Sequence, residues 1–306
     1  MAERRPDYDS LPTEAALDAA RDLDALRPID IVDLLLAEEA KVARAVKRER
    51  RRIAASAVRI ARAFKAGGRL IYVGAGTSGR LAVLDAAECP PTFSTPPSQV
   101  VGVIAGGPHA LTRAVEGAED DGREAEARLR RLAVGPRDVV CAIAASGVTP
   151  FARASLEYAR ARGAQTIFVT CAPPPDAKQL ADEVIAPRVG PEVVTGSTRL
   201  KAGTATKIVL NCLSTTAMVG IGKVYGSRMV DMRPTNAKLR ARAMRLVREI
   251  AGVDAPEAQK LLDRAGNNVK LALVMELRGV SLAKARELVD AAGGRLRDVI
   301  GEPKKR

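Results

Sequence analysis

The chain has 306 residues, a formal net charge of +13 and an apolar share of 47%, with only four Tyr, four Phe and no Trp. That content excludes a disordered chain, and the length suits one large α/β core with a smaller appendage, packed by Ala, Val, Leu and Ile. The four cysteines, Cys89, Cys141, Cys171 and Cys212, form no CxxC pair and are too sparse for a disulfide framework, so a reducing cytoplasm is expected, with no metal centre. Met1 to Leu35 is charged and lacks a signal-type apolar run, and no apolar stretch reaches the roughly twenty residues of a membrane helix; a soluble protein without membrane contact is expected. The positive charge suits an anionic ligand. Nucleic acid is not expected, because almost no aromatic surface is available for stacking bases.

From Ile29 to Phe64 apolar residues recur at helical spacing, which predicts two helices. The basic run Lys47 to Arg52 falls inside this pattern, contains Glu49 and reads as a solvated helix face. Gly67-Gly68 ends the second helix; Arg69 to Val73 then reads as a strand closed by Gly74, and a helix is expected from Gly79. Further strands are predicted near Val100 to Ile104, Asp138 to Ala144, Gln165 to Thr170 and Glu183 to Pro187, with helices between most of them. Alternation of this kind implies a doubly wound parallel sheet. Lys201 to Gly222 reads as a long helix, apolar nearly all round, to be buried against the sheet or a subunit partner; the second case would make a homodimer. Pro256 to Ile300 reads as three short helices broken at Gly266-Asn267-Asn268, Gly279-Val280-Ser281 and Gly293-Gly294, followed by a frayed tail from Glu302 to Arg306. The expected organisation is an N-terminal helical segment over 1–57, a ligand-binding α/β domain over 58–223, a helical connector over 224–255 and a three-helix module over 256–306.

Between the first strand and its helix lies Gly74-Ala-Gly76-Thr77-Ser78-Gly79-Arg80. Glycines there let the backbone close on a ligand, and the free N–H groups and dipole of the helix favour an anion. The sequence lacks the Gly-Lys-Ser/Thr of a nucleotide-triphosphate loop and the full dinucleotide fingerprint, so no nucleotide cofactor is expected. A second loop, Ala144-Ala-Ser146-Gly147-Val-Thr149-Pro150, repeats the plan. A third polar cluster, from Glu192 through Ser197 to Lys201, precedes the long helix. Gly76, Thr77, Ser78, Ser146, Gly147, Thr149, Glu192, Ser197 and Lys201 are therefore the candidate substrate and phosphate ligands. Each loop alone could equally be a tight turn with a Ser or Thr helix cap.

These three segments resemble the sugar isomerase (SIS) family of phosphosugar-binding domains. Leu84 to Phe93 (LDAAECPPTF), Ile104 to Gly107 (IAGG), Ala114 to Asp121 (AVEGAEDD), Val194 to Lys207 (VTGSTRLKAGTATK) and Met229 to Leu239 (MVDMRPTNAKL) carry a sharper resemblance, to the N-acetylmuramic acid 6-phosphate etherases. It runs from about Leu23 to the final helices. Departures are Ala87 in place of Ser, Ser94 in place of Gly, Val148 in the second loop and the Met232-Arg-Pro stretch. The resemblance implies an SIS-type sheet, a UBA-like C-terminal module, a homodimer and a phosphorylated amino sugar as substrate, with no cofactor. It also implies Glu88 as proton donor and Glu119 as the catalytic base of a lyase that removes the D-lactyl ether by elimination, followed by hydration at C3.

Ether cleavage asks for one ionised and one protonated carboxylate, in environments that separate their pKa values. Read without the family, Glu119 with Glu116, Asp120 and Asp121 is an acidic, solvated helix terminus, and Glu116 lies three residues away on the same face. His109 is the single histidine and follows Gly106-Gly107-Pro108; it could be a base, a sugar ligand or an incidental loop residue. Cys89 has no flanking cation and reads as packing. Competing functions are an aldose–ketose isomerase on the same fold and a phosphosugar sensor without catalysis.

Overall fold

The computed structural model describes residues 11–232 and 237–303. Arg233 and Pro234 of the Met232-Arg-Pro stretch, and the last three residues of the expected tail, lie outside the described residues. In chain order the N-terminal helices are α1 (Pro28–Glu39), α2 (Val42–Arg48) and α3 (Arg50–Lys65). Three helices thus stand where the apolar spacing predicts two. The extra break falls at Glu49, whose backbone (φ −87°, ψ 3°) leaves the helical region and serves both as the end of α2 and the start of α3. The spacing of apolar residues carries no mark of it.

The α/β portion follows as β1 (Leu70–Gly74), α4 (Gly76–Phe93), β2 (Val100–Ile104), α5 (Gly122–Arg131), β3 (Val139–Ile143), α6 (Pro150–Ala161), β4 (Gln165–Val169), α7 (Ala177–Leu180), β5 (Glu183–Ile185) and α8 (Lys201–Gly220). All five strands are parallel, in the order β2-β1-β3-β4-β5. The expected doubly wound sheet is present, with strand limits within two residues of those predicted. β1 and β3 are buried along their whole length, as a parallel sheet covered on both faces requires. Ile71, Val73 and Val140 face a cluster with Ala125, Leu129, Phe151 and Ala159 of α5 and α6. On the opposite face Gly102 lies against Val83 of α4.

The remaining elements are a two-stranded antiparallel ribbon, β6 (Val224–Tyr225) with β7 (Arg228–Met229), and the helices α9 (Ala237–Ala251), α10 (Ala255–Arg264), α11 (Val269–Arg278), α12 (Leu282–Ala291) and α13 (Leu296–Ile300). The ribbon was not foreseen, and α13 adds a fourth short helix after the Gly293-Gly294 break. Asp254, Asn268 and Ser281 cap α10, α11 and α12 by accepting from the N–H three residues on, which is why the chain breaks where the sequence places those residues. The chain divides into two compact units: Met1–Ala87 with Ser98–Ser214, and Glu88–Pro97 with Thr215–Arg306. In the second, the buried Lys270 ammonium donates to the carbonyls of Gly222 (3.0 Å) and Gly294 (2.9 Å) and pairs with Asp231 (3.3 Å). Burial pulls its pKa down, against the opposing pull of Asp231. Among the described residues no helix is long and apolar enough to cross a membrane.

The first unit has its own buried charge. Asp138, immediately before β3, accepts from the backbone N–H, Nε and Nη2 of Arg69, immediately before β1, at 3.0, 3.0 and 2.7 Å, and from the Gly135 N–H at 3.1 Å. Burial alone would raise the Asp138 pKa; the Arg69 and Gly135 bonds outweigh it and the net shift is downward. Such a carboxylate stabilises the fold above its unfolded pKa and ceases to do so as pH falls through its folded value. Asp138→Asn should therefore cost about 3–5 kcal/mol near neutrality. Urea unfolding at pH 7 and pH 3 should show the gap between variant and parent narrowing below pH ~4.

Candidate active site

β1 and β3 are neighbours, yet the chain leaves β1 for β2 on one side and leaves β3 for β4 on the other. The crevice beyond their carboxyl ends is the switch point where ligands bind in open α/β sheets. The first two candidate loops sit there. The first is shorter than the sequence suggests, because α4 begins at Gly76 rather than Gly79 and only Ala75 separates strand from helix. Thr77 and Ser78 thus lie in the first helical turn, where backbone N–H groups have no intrahelical acceptor. Gly79 is confined: a Cβ would come within 2.6 Å of both the Gly74 carbonyl oxygen and Ile104.

In the second loop Gly147 has φ +78°, and a Cβ there would lie 2.4 Å from the Ala172 carbonyl oxygen. Ala145 accepts from the N–H groups of Cys171 and Ala172, which ties the loop to the chain leaving β4. Thr149 is the N-cap of α6, yet its side chain makes no capping bond, so the hydroxyl is not used by its own helix. Ser146 and Thr149 are partly exposed.

The third segment meets the first. A Cβ on Gly203, in the first turn of α8, would lie 3.5 Å from Thr77 Cγ2. Here the structure gives Glu192 and Lys201 other work. The Glu192 carboxylate accepts from the backbone N–H groups of Lys201 (3.0 Å) and Ala202 (2.9 Å), filling the N-terminus of α8 with an anion of its own. Burial raises its pKa, opposed by those two N–H groups and the Lys201 charge. The Lys201 side chain is 2% exposed and its Nζ lies 2.7 Å from Glu38 Oε2. Glu38 also pairs with Lys41. Burial pushes the Glu38 carboxyl up, but its two lysine partners prevail and the pKa is lowered. Ser197 remains partly exposed ahead of the helix. Sequence reasoning missed Glu38, which lies far from Lys201 along the chain in a helix without a polar motif.

Glu119 lies in a single 3-10 turn, Ala118–Asp120, between β2 and α5. As a residue it is exposed, yet the surroundings of its carboxyl raise its pKa: desolvation first, then the charges of Asp120 and Glu116. Those neighbours, which by sequence alone suggest a solvated acidic terminus, are thus part of what raises its pKa. Glu88 is exposed on α4. One turn earlier, buried Asp85 accepts from the Tyr72 hydroxyl at 3.2 Å and lies 3.5 Å from Lys207 Nζ. Asp85 belongs to the LDAAECPPTF run, but nothing in that run marks it as the buried member. Cys89 is 2% exposed, as packing requires. His109 is exposed in the 3-10 turn Gly107–Leu111. A separate cleft of about 720 Å³ runs beside β5, between α2, α3 and residues 173–175; none of the expected site residues lines it.

Two hydroxyl-rich helix starts at the switch point of a five-stranded parallel sheet are the arrangement expected of a sugar isomerase (SIS) domain, and models of that class match the chain. The SIS domain covers residues 121–216, and the glucokinase regulatory protein N-terminal SIS domain covers residues 52–160. The N-acetylmuramic acid 6-phosphate etherase of Rhodopirellula baltica is 52% identical over 263 residues, 86% of this chain and 87% of that protein. That of Mesorhizobium japonicum is 47% identical over 297 residues, 97% of each chain. The chain belongs to the N-acetylmuramic acid 6-phosphate etherase family. Among solved structures, phosphoheptose isomerase from Neisseria gonorrhoeae aligns with a TM-score of 0.43 and 17% identity, over 60% of this chain and 99% of that one.

The Glu38–Lys201 pair is buried on both sides, so removing one partner strands the other. Lys201→Met or Glu38→Gln should each cost about 3–5 kcal/mol of stability, while the Glu38→Met/Lys201→Met double variant should lose much less than the two singles together. Chemical denaturation of the four proteins measures this.

Proposed function

We propose that this chain is a lyase that cleaves the D-lactyl ether of N-acetylmuramic acid 6-phosphate, giving N-acetylglucosamine 6-phosphate and D-lactate, in the recycling of cell-wall amino sugars. Family membership across nearly the whole chain carries this reading, since the relative it matches over 97% of both lengths bears that activity as its name. The phosphate is assigned to the first turn of α4 (Gly76, Thr77, Ser78) and to the loop Ser146, Gly147, Thr149, with Ser197 adding a hydroxyl. Glu192 and Lys201 act as the frame that holds the start of α8. No cofactor is needed for the steps that follow.

In the open-chain sugar the C2 hydrogen lies beside the aldehyde and is acidic enough for a carboxylate to remove. Glu119 takes that proton; the electron pair forms the C2–C3 double bond as the C3–O bond breaks, and Glu88 protonates the departing lactate oxygen. Water then adds its oxygen to C3 while giving a proton to the ionised Glu88, and Glu119 returns its proton to C2, which restores both carboxyls for the next turnover. A raised pKa suits the base, because basicity increases with pKa as long as the group is ionised at the working pH. An aldose–ketose isomerase would need only the proton transfer and no acid at the ether oxygen. A second copy of the chain is the proposed partner, seated on the exposed stripe Ile29, Val32 and Leu36 of α1 (57%, 47% and 63% exposed), and the cytoplasm is the proposed compartment.

The purified protein should release D-lactate from N-acetylmuramic acid 6-phosphate, and in ¹⁸O water the label should enter C3 of the sugar; label in the lactate would refute elimination. Glu88→Gln and Glu119→Gln should each lower kcat by about 10²- to 10⁴-fold while substrate binding persists. On its acid side kcat/KM should rise with pH through a pKa above that of an ordinary glutamate, as Glu119 loses its proton. Light scattering should give twice the chain mass, reduced towards one chain by Leu36→Lys; a monomeric parent would exclude the proposed partner.

A further inference from the structure

Arg80 follows directly on the first turn of α4, and its guanidinium reaches across to the segment that carries Glu119. Nε donates to the Leu111 carbonyl at 3.2 Å and Nη2 to the Arg113 carbonyl at 3.1 Å. Leu111 closes the turn Gly107–Leu111 and Arg113 follows it, ahead of the turn Ala118–Asp120. Among the described residues no carboxylate pairs with Arg80, so its cation is held by neutral carbonyls alone. Two further contacts govern the same strip. Gly106, at φ +76°, lies against Val115, so the segment folds back on itself, and Gly79, the residue before Arg80, is pressed on Ile104 at the end of β2. The strip between β2 and α5 has few buried side chains of its own: from Leu111 to Gly117 every residue is exposed. A forked donor spanning two carbonyls is a fixed geometry that a single ammonium does not reproduce.

We propose that Arg80 is a positioning residue for the reaction: it latches the Glu119 segment to the helix turn assigned to the phosphate, so that capturing the phosphate and placing the carboxylate become one event. This rests on the lyase reading above. A displacement of about 1 Å in a reacting group can cost on the order of 10²-fold in rate, and the Arg80 fork ties α4 to this strip at two points.

The test compares the parent with Arg80→Met, which keeps the stem and loses the fork, and Arg80→Lys, which keeps the charge and one point of donation. With N-acetylmuramic acid 6-phosphate, Arg80→Met should lower kcat by about 10- to 100-fold. KM and inhibition by inorganic phosphate should stay within about twofold of the parent, and Arg80→Lys should recover part of the lost kcat. An unchanged kcat overturns the proposal. So does weaker phosphate inhibition at unchanged kcat, which would make Arg80 a phosphate ligand instead. Amide exchange reads the latch without turnover: residues 107–120 should exchange faster in Arg80→Met, and equal exchange would overturn the latch. If the parent releases no lactate while Arg80→Met still exchanges faster than the parent, the latch stands and the lyase reading falls.

Discussion

Side-by-side pairing of β1 and β3, with the chain departing from them in opposite directions, is the constraint from which the site follows. Because the strands are parallel and in register from Leu70 opposite Val139 to Gly74 opposite Ile143, both end at the same level. The helices that follow therefore start at the same level but on opposite faces of the sheet, and their first turns present unbonded N–H groups at the crevice between them. The pairing is fastened at its other end as well, where Arg69 and Asp138 lock the two strand entrances together. A one-residue slip would separate that ion pair and turn Tyr72 away from Asp85. The polar anchors thus fix the register that the apolar faces only favour.

Buried charge is placed in closed sets. Asp138 has Arg69, Glu38 has Lys201 and Lys41, Asp85 has Tyr72 and Lys207, and Lys270 has two carbonyls and Asp231. Each set joins segments distant in sequence, so each acts as a stitch whose loss leaves an unpaired charge in a medium that solvates it poorly. Glu119 differs. Its raised pKa comes from crowding and from like charges, with no cation among the causes. Uncompensated charge of this kind is characteristic of groups that exchange protons rather than hold a fold.

Periodicity and punctuation made the sheet legible. Val100 to Ile104 was read to the residue, because short β-branched runs bounded by glycine leave few alternatives. The two hydroxyl-bearing strand-to-helix turns were legible in position for the same reason, and their phosphate role stays a proposal. The break at Glu49, the small β6–β7 ribbon and α13 were not, since each depends on local backbone choices that carry no apolar signature. Lys201 is the instructive case. Its place beside a polar loop made it a natural phosphate ligand, but a cation's availability depends on what else reaches it, and Glu38 comes from another part of the chain. Glu119 is singled out only by the family resemblance, as an expected base; its neighbours, which looked like solvent-facing acids, are part of what shifts its pKa.

Glu192 at the head of α8 has a wider consequence. A helix start that already contains its own carboxylate has no room for a second anion, which is why the proposed phosphate site uses the helix starts after β1 and β3. With the Lys201 ammonium tied to Glu38, the proposed grip on that phosphate rests on backbone dipoles and hydroxyls. Fixed, partly buried dipoles are screened by dissolved ions far less than flexible surface cations are. On the proposed binding mode, recognition should depend little on ionic strength, although the chain as a whole carries a large positive charge.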